Sequence, residues 1–95
     1  MRALVVDDSR AARSILSRML RELGFDVFDA ANGQDALARL EENGAADLAL
    51  IDWNMPVMNG LELVEAVRAD ARYRTMLLVM ATSETEVPRV ASAAG

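Results

Sequence analysis

Cysteine, histidine and lysine are all absent from this 95-residue chain. Without cysteine there is no disulfide, no thiolate zinc site and no thiol nucleophile. Without histidine there is neither Ser-His-Asp catalysis nor imidazole ligation of a metal. Chemistry is left to carboxylates, hydroxyls, amides and arginines, which supply all ten basic residues. The net charge is −5 and no basic run occurs, so the electrostatic footprint of a nucleic-acid binder is missing and no direct nucleic-acid partner is expected. No apolar stretch approaches the roughly 20 residues that span a bilayer, and the chain enters a strand pattern within three residues without a long apolar leader. A cytoplasmic protein without membrane insertion is expected. Its length allows one domain, residues 1–95.

What is present is a pattern that switches repeatedly between strand and helix. Residues 3–6 read as a buried strand, after which Asp8 or Ser9 caps a helix whose apolar positions, Ala12, Ile15, Leu16, Met19, Leu20 and Leu23, recur at steps of three and four and so define one inward face. Gly24 stops that helix. Residues 25–30 interleave polar and apolar side chains as an edge strand does, and Asn32 and Gly33 turn the chain. A second helix over 34–43 places Ala36, Leu37 and Leu40 inward and closes at Gly44; a buried strand follows at 48–51. A third helix carries Leu63, Val64 and Val67, and 76–80 is a continuous apolar run of the kind covered on both faces. Residues 84–94 are expected to form a fourth helix, with Pro88 near its first turn. Strands alternating with helices of this length imply right-handed crossovers and a parallel α/β sheet.

Three carboxylates end two of these strands: Asp7 and Asp8 after 4–6, and Asp52 after 48–51. Ligands of open parallel sheets bind outside the carboxyl ends of the strands, so the three acids converge on one site. Clustered carboxylates repel unless a cation sits among them. Mg²⁺ keeps several waters and uses one or two carboxylates with a phosphate oxygen, so a Mg²⁺ site that handles phosphate is expected. Taken alone, Asp7 and Asp8 are equally well read as acids stabilising a helix N-terminus. The matching position of Asp52 favours the metal. Arg13, Arg18, Arg21 and Arg39 read as a solvated helix surface, with contact to an acidic partner as the alternative for Arg10 and Arg13.

The run Val5, Val6, Asp7, Asp8, Ser9, then Asp52, Trp53, Asn54, Met55, Pro56 with Asn59 and Gly60, then Ala81 and Thr82, resembles the receiver domain of bacterial two-component response regulators, and most closely the single-domain chemotaxis type. The resemblance covers the whole chain. It implies a flavodoxin-like, doubly wound sheet of strand order 2-1-3-4-5. It also implies that Asp52 is the phosphoacceptor, attacking a phosphohistidine of a sensor histidine kinase or histidine phosphotransfer protein. In the same reading Asp8 ligates Mg²⁺ directly, Asp7 holds it largely through water, and the backbone carbonyl of Asn54 is a further ligand. Thr82 is the hydroxyl that meets the phosphoryl group and moves on phosphorylation to change binding of a downstream protein target.

One departure stands out. Receivers carry a lysine and an aromatic switch residue on a fifth strand, followed by a fifth helix; this chain has no lysine and its sequence stops at Gly95. It therefore reads as a receiver of order 2-1-3-4 cut before the fifth strand. An exposed fourth-strand edge then invites pairing with another chain, so a homodimer or segment exchange is expected. The alternative to a phosphorylatable switch is a receiver-derived interaction or dimerisation module that does not switch. An aspartyl-nucleophile phosphatase of the dehalogenase type is disfavoured because its Asp-x-Asp arrangement is missing after the first strand.

Overall fold

The computed structural model describes residues 1–52, 58–81 and 89–90. Among the described residues five strands and three helices follow one another along the chain: β1 (Arg2–Val6), α1 (Arg10–Glu22), β2 (Asp26–Ala30), α2 (Gly33–Asn43), β3 (Leu48–Asp52), α3 (Gly60–Ala69), a 3-10 turn at Ala71–Tyr73, β4 (Leu77–Ala81) and β5 (Arg89–Val90). Each helix begins on a polar cap that satisfies an orphan N–H: Ser9 Oγ accepts from Ala12 N (3.2 Å) and Asn32 Oδ1 from Asp35 N (2.8 Å). Ser9, rather than Asp8, caps α1, which leaves Asp8 to the loop. The chain leaves α1 and α2 through Gly24 (φ 97°) and Gly44 (φ 85°), left-handed conformations that glycine adopts without strain.

β1 to β4 are parallel in the order β2-β1-β3-β4, as the resemblance implied. From β1 the chain crosses by way of α1 to one side, and from β3 by way of α3 to the other. The topological switch therefore falls between β1 and β3. Val6 is level with Ile51, which brings Asp7 and Asp52 to neighbouring strand ends at that switch.

The two faces of the sheet are covered unequally. On one, Leu4, Val6, Ala49, Ile51, Leu78 and Met80 pack with Ala36 and Leu40 of α2 and Leu63, Val64 and Val67 of α3. On the other, Ala3 and Val5 pack with Leu20 of α1, flanked by half-buried Leu16, Val27, Leu48 and Leu50. Two expectations are corrected here. Of the α1 stripe, Ile15 (60%), Met19 (54%) and Leu23 (75%) are exposed, because among the described residues α1 alone covers this face and its stripe is wider than the groove it fills. For the same reason β4 is not enclosed on both sides: Leu78 and Met80 are buried, whereas Leu77 is 45% exposed.

The outer edge of β4 also differs from expectation. β5 pairs antiparallel with it, Val79 with Val90 and Met80 with Arg89, so the edge is not bare at those positions and the dimer expected on that ground loses part of its template. Residues 89 and 90 are strand rather than helix; the remainder of the expected fourth helix lies outside the described residues.

Candidate functional site

Asp52 is the last residue of β3 and is 8% exposed; Asp7 follows β1 half-buried, and Asp8 is exposed. One carboxylate oxygen from each of the three lies within 4.8 Å of the others. Like charges about 4 Å apart repel by roughly 1–4 kcal/mol per pair, depending on how much water surrounds them. The cluster persists because the backbone imposes it. Asp7 N–H donates to Ala30 O (3.1 Å), which extends the β1–β2 ladder one residue past the strand, and Asp7 Oδ1 accepts from Ser9 N–H (2.8 Å) in a tight turn. The same turn that starts α1 thus aims the Asp7 carboxylate.

The donor set is three carboxylates, the chemistry a hard divalent cation takes, and among the described residues the cluster runs from buried Asp52 through half-buried Asp7 to solvent at Asp8. The residues fit Mg²⁺. Asn54 and Thr82 lie outside the described residues; Ala81, which precedes Thr82, is level with Asp52 across β3 and β4.

Arg13 belongs to this site rather than to the solvated helix surface expected of it, because it is held against β2 and the Asp7 turn. Its Nη1 donates to the backbone carbonyl of Asp7 (2.8 Å) and its Nε to Asp29 Oδ2 (3.0 Å), with the side chain 18% exposed. Its spacing, one helical turn beyond Ser9, is the signal that was available. It marks the residue able to reach back over the capping turn.

The model of the response regulator receiver domain matches residues 3–95. Chemotaxis protein CheY1 of Helicobacter pylori is 44% identical over 85 residues, which are 88% of this chain and 68% of that protein. Among solved structures, chemotaxis protein CheY4 of Vibrio cholerae superposes with a TM-score of 0.82 at 40% identity, covering 90% of this chain and 70% of its own. Response regulator TrrA of Thermotoga maritima, solved in complex with Mg²⁺ and BeF, superposes with a TM-score of 0.79 at 31% identity, covering 88% and 70%. The chain belongs to the response regulator receiver domain family, and with it to two-component signal transduction. That places it among signalling domains rather than among the classical enzyme families.

Proposed function

We propose that this receiver accepts a phosphoryl group on Asp52 from the phosphohistidine of a sensor histidine kinase or histidine phosphotransfer protein, in a Mg²⁺-dependent reaction, and thereby changes its binding to a downstream protein. The convergence of Asp7, Asp8 and Asp52 at the β1/β3 switch point carries this reading.

An Asp52 carboxylate oxygen attacks phosphorus; the P–O bond forms as the P–N bond to the imidazole breaks, and the leaving imidazole nitrogen takes up a proton. An ionised carboxylate needs no general base, so a site without histidine suffices. Mg²⁺, when bound, would supply positive charge to the equatorial phosphoryl oxygens, over which the loose transition state spreads its negative charge. Asp8 would hold the ion directly, Asp7 largely through water, Asp52 would be a further carboxylate ligand, and the Asn54 carbonyl would complete the protein ligands. The Thr82 hydroxyl would donate to a phosphoryl oxygen and move with it, which would change how a partner binds. The likeness to chemotaxis regulators supports a cytoplasmic location.

Incubation with acetyl phosphate and Mg²⁺, followed by intact mass measurement, tests the assignment. One added phosphoryl group that disappears in Asp52→Asn and on chelation is expected. Retention of the adduct in Asp52→Asn would move the acceptor elsewhere.

A further inference from the structure

The polar contacts of Asp7 are unusually complete for a loop residue. Its N–H is bonded to β2 (Ala30 O, 3.1 Å), its carboxylate to Ser9 N–H (2.8 Å), and its carbonyl to a side chain one turn into α1, Arg13 Nη1 (2.8 Å). That carbonyl is part of the peptide unit joining Asp7 to Asp8. Because the peptide is planar, whatever holds the carbonyl direction holds both flanking α-carbons, and hence the starting points of both carboxylates, in one orientation. Arg13 is itself anchored: Nε meets Asp29 Oδ2 of β2 at 3.0 Å, and the side chain is 18% exposed while Arg10, Arg18 and Arg21 are exposed.

We propose that Arg13 is a positioning residue of the metal site, fixing the Asp7–Asp8 peptide plane against β2 so that both acids face Asp52. The proposal rests on the Mg²⁺ reading of the three carboxylates. The guanidinium suits the role because its nitrogens point in different directions from a rigid plane, one to the loop and one to β2, which a single ammonium does not reproduce.

A competing physical effect has the opposite sign. A cation beside a cation site repels the incoming ion, so if charge alone mattered, removing Arg13 would tighten Mg²⁺ binding. Asp29 offsets that charge at 3.0 Å, which leaves the geometric effect to dominate.

Calorimetric titration of Mg²⁺ into the wild-type chain, Arg13→Met and Asp29→Asn decides between them. Arg13→Met keeps the aliphatic stem packed and removes the donors; its Mg²⁺ dissociation constant is expected to rise about 10-fold, the lower end of what loss of an outer-shell partner costs. Asp29→Asn keeps an oxygen acceptor for Nε, and its constant is expected to stay within about twofold of wild type, as loss of one exposed charge warrants. Wild-type affinity, or tighter binding, in Arg13→Met overturns the proposal. An equal loss in Asp29→Asn assigns the effect to charge balance and overturns it as well. Absence of Mg²⁺ binding by the wild-type chain overturns the reading of the site itself, an outcome distinct from the other two. Should Arg13→Met fail to fold, Arg13→Lys takes its place, with intermediate weakening expected and wild-type affinity overturning the proposal.

Discussion

Gly33 and Met58 approach so closely that a β-carbon on residue 33 would lie 2.6 Å from Met58 Cγ, 2.7 Å from Sδ and 2.8 Å from Cβ. Gly33 is the first residue of α2, and Met58 stands just before the cap of α3, so the contact joins the segment leaving β2 to the one returning from the Asp52 strand end. A rotamer change can move the methionine sulfur aside. It cannot move Cβ, and so the backbone must give. Gly33→Ala is expected to lose about 1–3 kcal/mol, the usual cost of overpacking a fitted contact. A lower urea midpoint at unchanged slope reads that loss. Gly33→Ala combined with Met58→Ala should lose less than the sum of the two single substitutions, since Met58→Ala removes Cγ and Sδ and leaves the 2.8 Å approach of Cβ as the one remaining of the three close contacts.

Asp8 offers a test of electrostatic repulsion within the cluster. It is the exposed member, and Ser9 rather than Asp8 caps α1, so Asp8→Asn removes a like charge without removing a cap. In chelator at low salt the variant is expected to melt higher than wild type, by several degrees if the relief is about 1 kcal/mol. Excess Mg²⁺ should reverse the order. Ligand binding adds RT ln(1 + [L]/Kd) to stability, about 2.7 kcal/mol at 100 times Kd, and the variant with the weaker site gains less of it. Calorimetric melts in both conditions give the crossing; parallel shifts for the two proteins would contradict the assignment of Asp8 as a ligand.

The carboxylate site was legible in the sequence because short apolar runs mark strand ends, and strand ends of a parallel sheet share one side. Which of the α1 apolar residues reach the core was not. Leu16 and Leu20 do, while Ile15, Met19 and Leu23 do not, because helical periodicity gives the direction of a stripe and not the width of the groove that receives it. Leu77 was misread for a related reason: an apolar run tells that a strand can be covered on both faces, not that it is. The Arg13 and Met58 contacts escaped because their partners are fixed by tertiary packing. Four arginines on α1 look alike until one of them finds Asp7 and Asp29, and nothing in the local pattern around Gly33 announces a side chain 25 positions away.

The segment after β3 is tied down at its far end by a capping box. Asn59 Oδ1 accepts from Glu62 N–H (2.9 Å) and Glu62 Oε1 accepts from Asn59 N–H (3.1 Å), so two orphan donors of α3 are satisfied reciprocally. Asn59→Ala is expected to cost about 1 kcal/mol. Glu62→Gln keeps an acceptor at the same place and should cost much less. Chemical denaturation of both variants checks the order, and equal losses would mean that the charge of Glu62 near the helix N-terminus, rather than its hydrogen bond, carries the effect.

Arg72 sets a pH dependence remote from the site. Its Nη1 and Nη2 donate to both oxygens of Glu41 (3.0 and 2.8 Å), and Nη2 also donates to Asp70 Oδ2 (2.8 Å), linking α2 to the turn after α3. These hydrogen bonds, with the accompanying charge attraction, hold both carboxyls below the usual carboxylate range. A carboxyl whose folded value is depressed binds fewer protons in the folded chain than in the unfolded one. Its contribution to stability is therefore complete above the unfolded value and is lost as pH falls through the folded value. Arg72→Gln should lower the melting temperature at neutral pH, and the gap between variant and wild type should close as pH falls below about 4, where the unfolded carboxyls take up protons. All three groups face solvent, so the gap should also shrink in concentrated salt. A gap that survived both acid and salt would mean that Arg72 acts instead through its stacking on the Tyr73 ring, 5.0 Å away, because the buried ring stays in place when the carboxylates are protonated or screened.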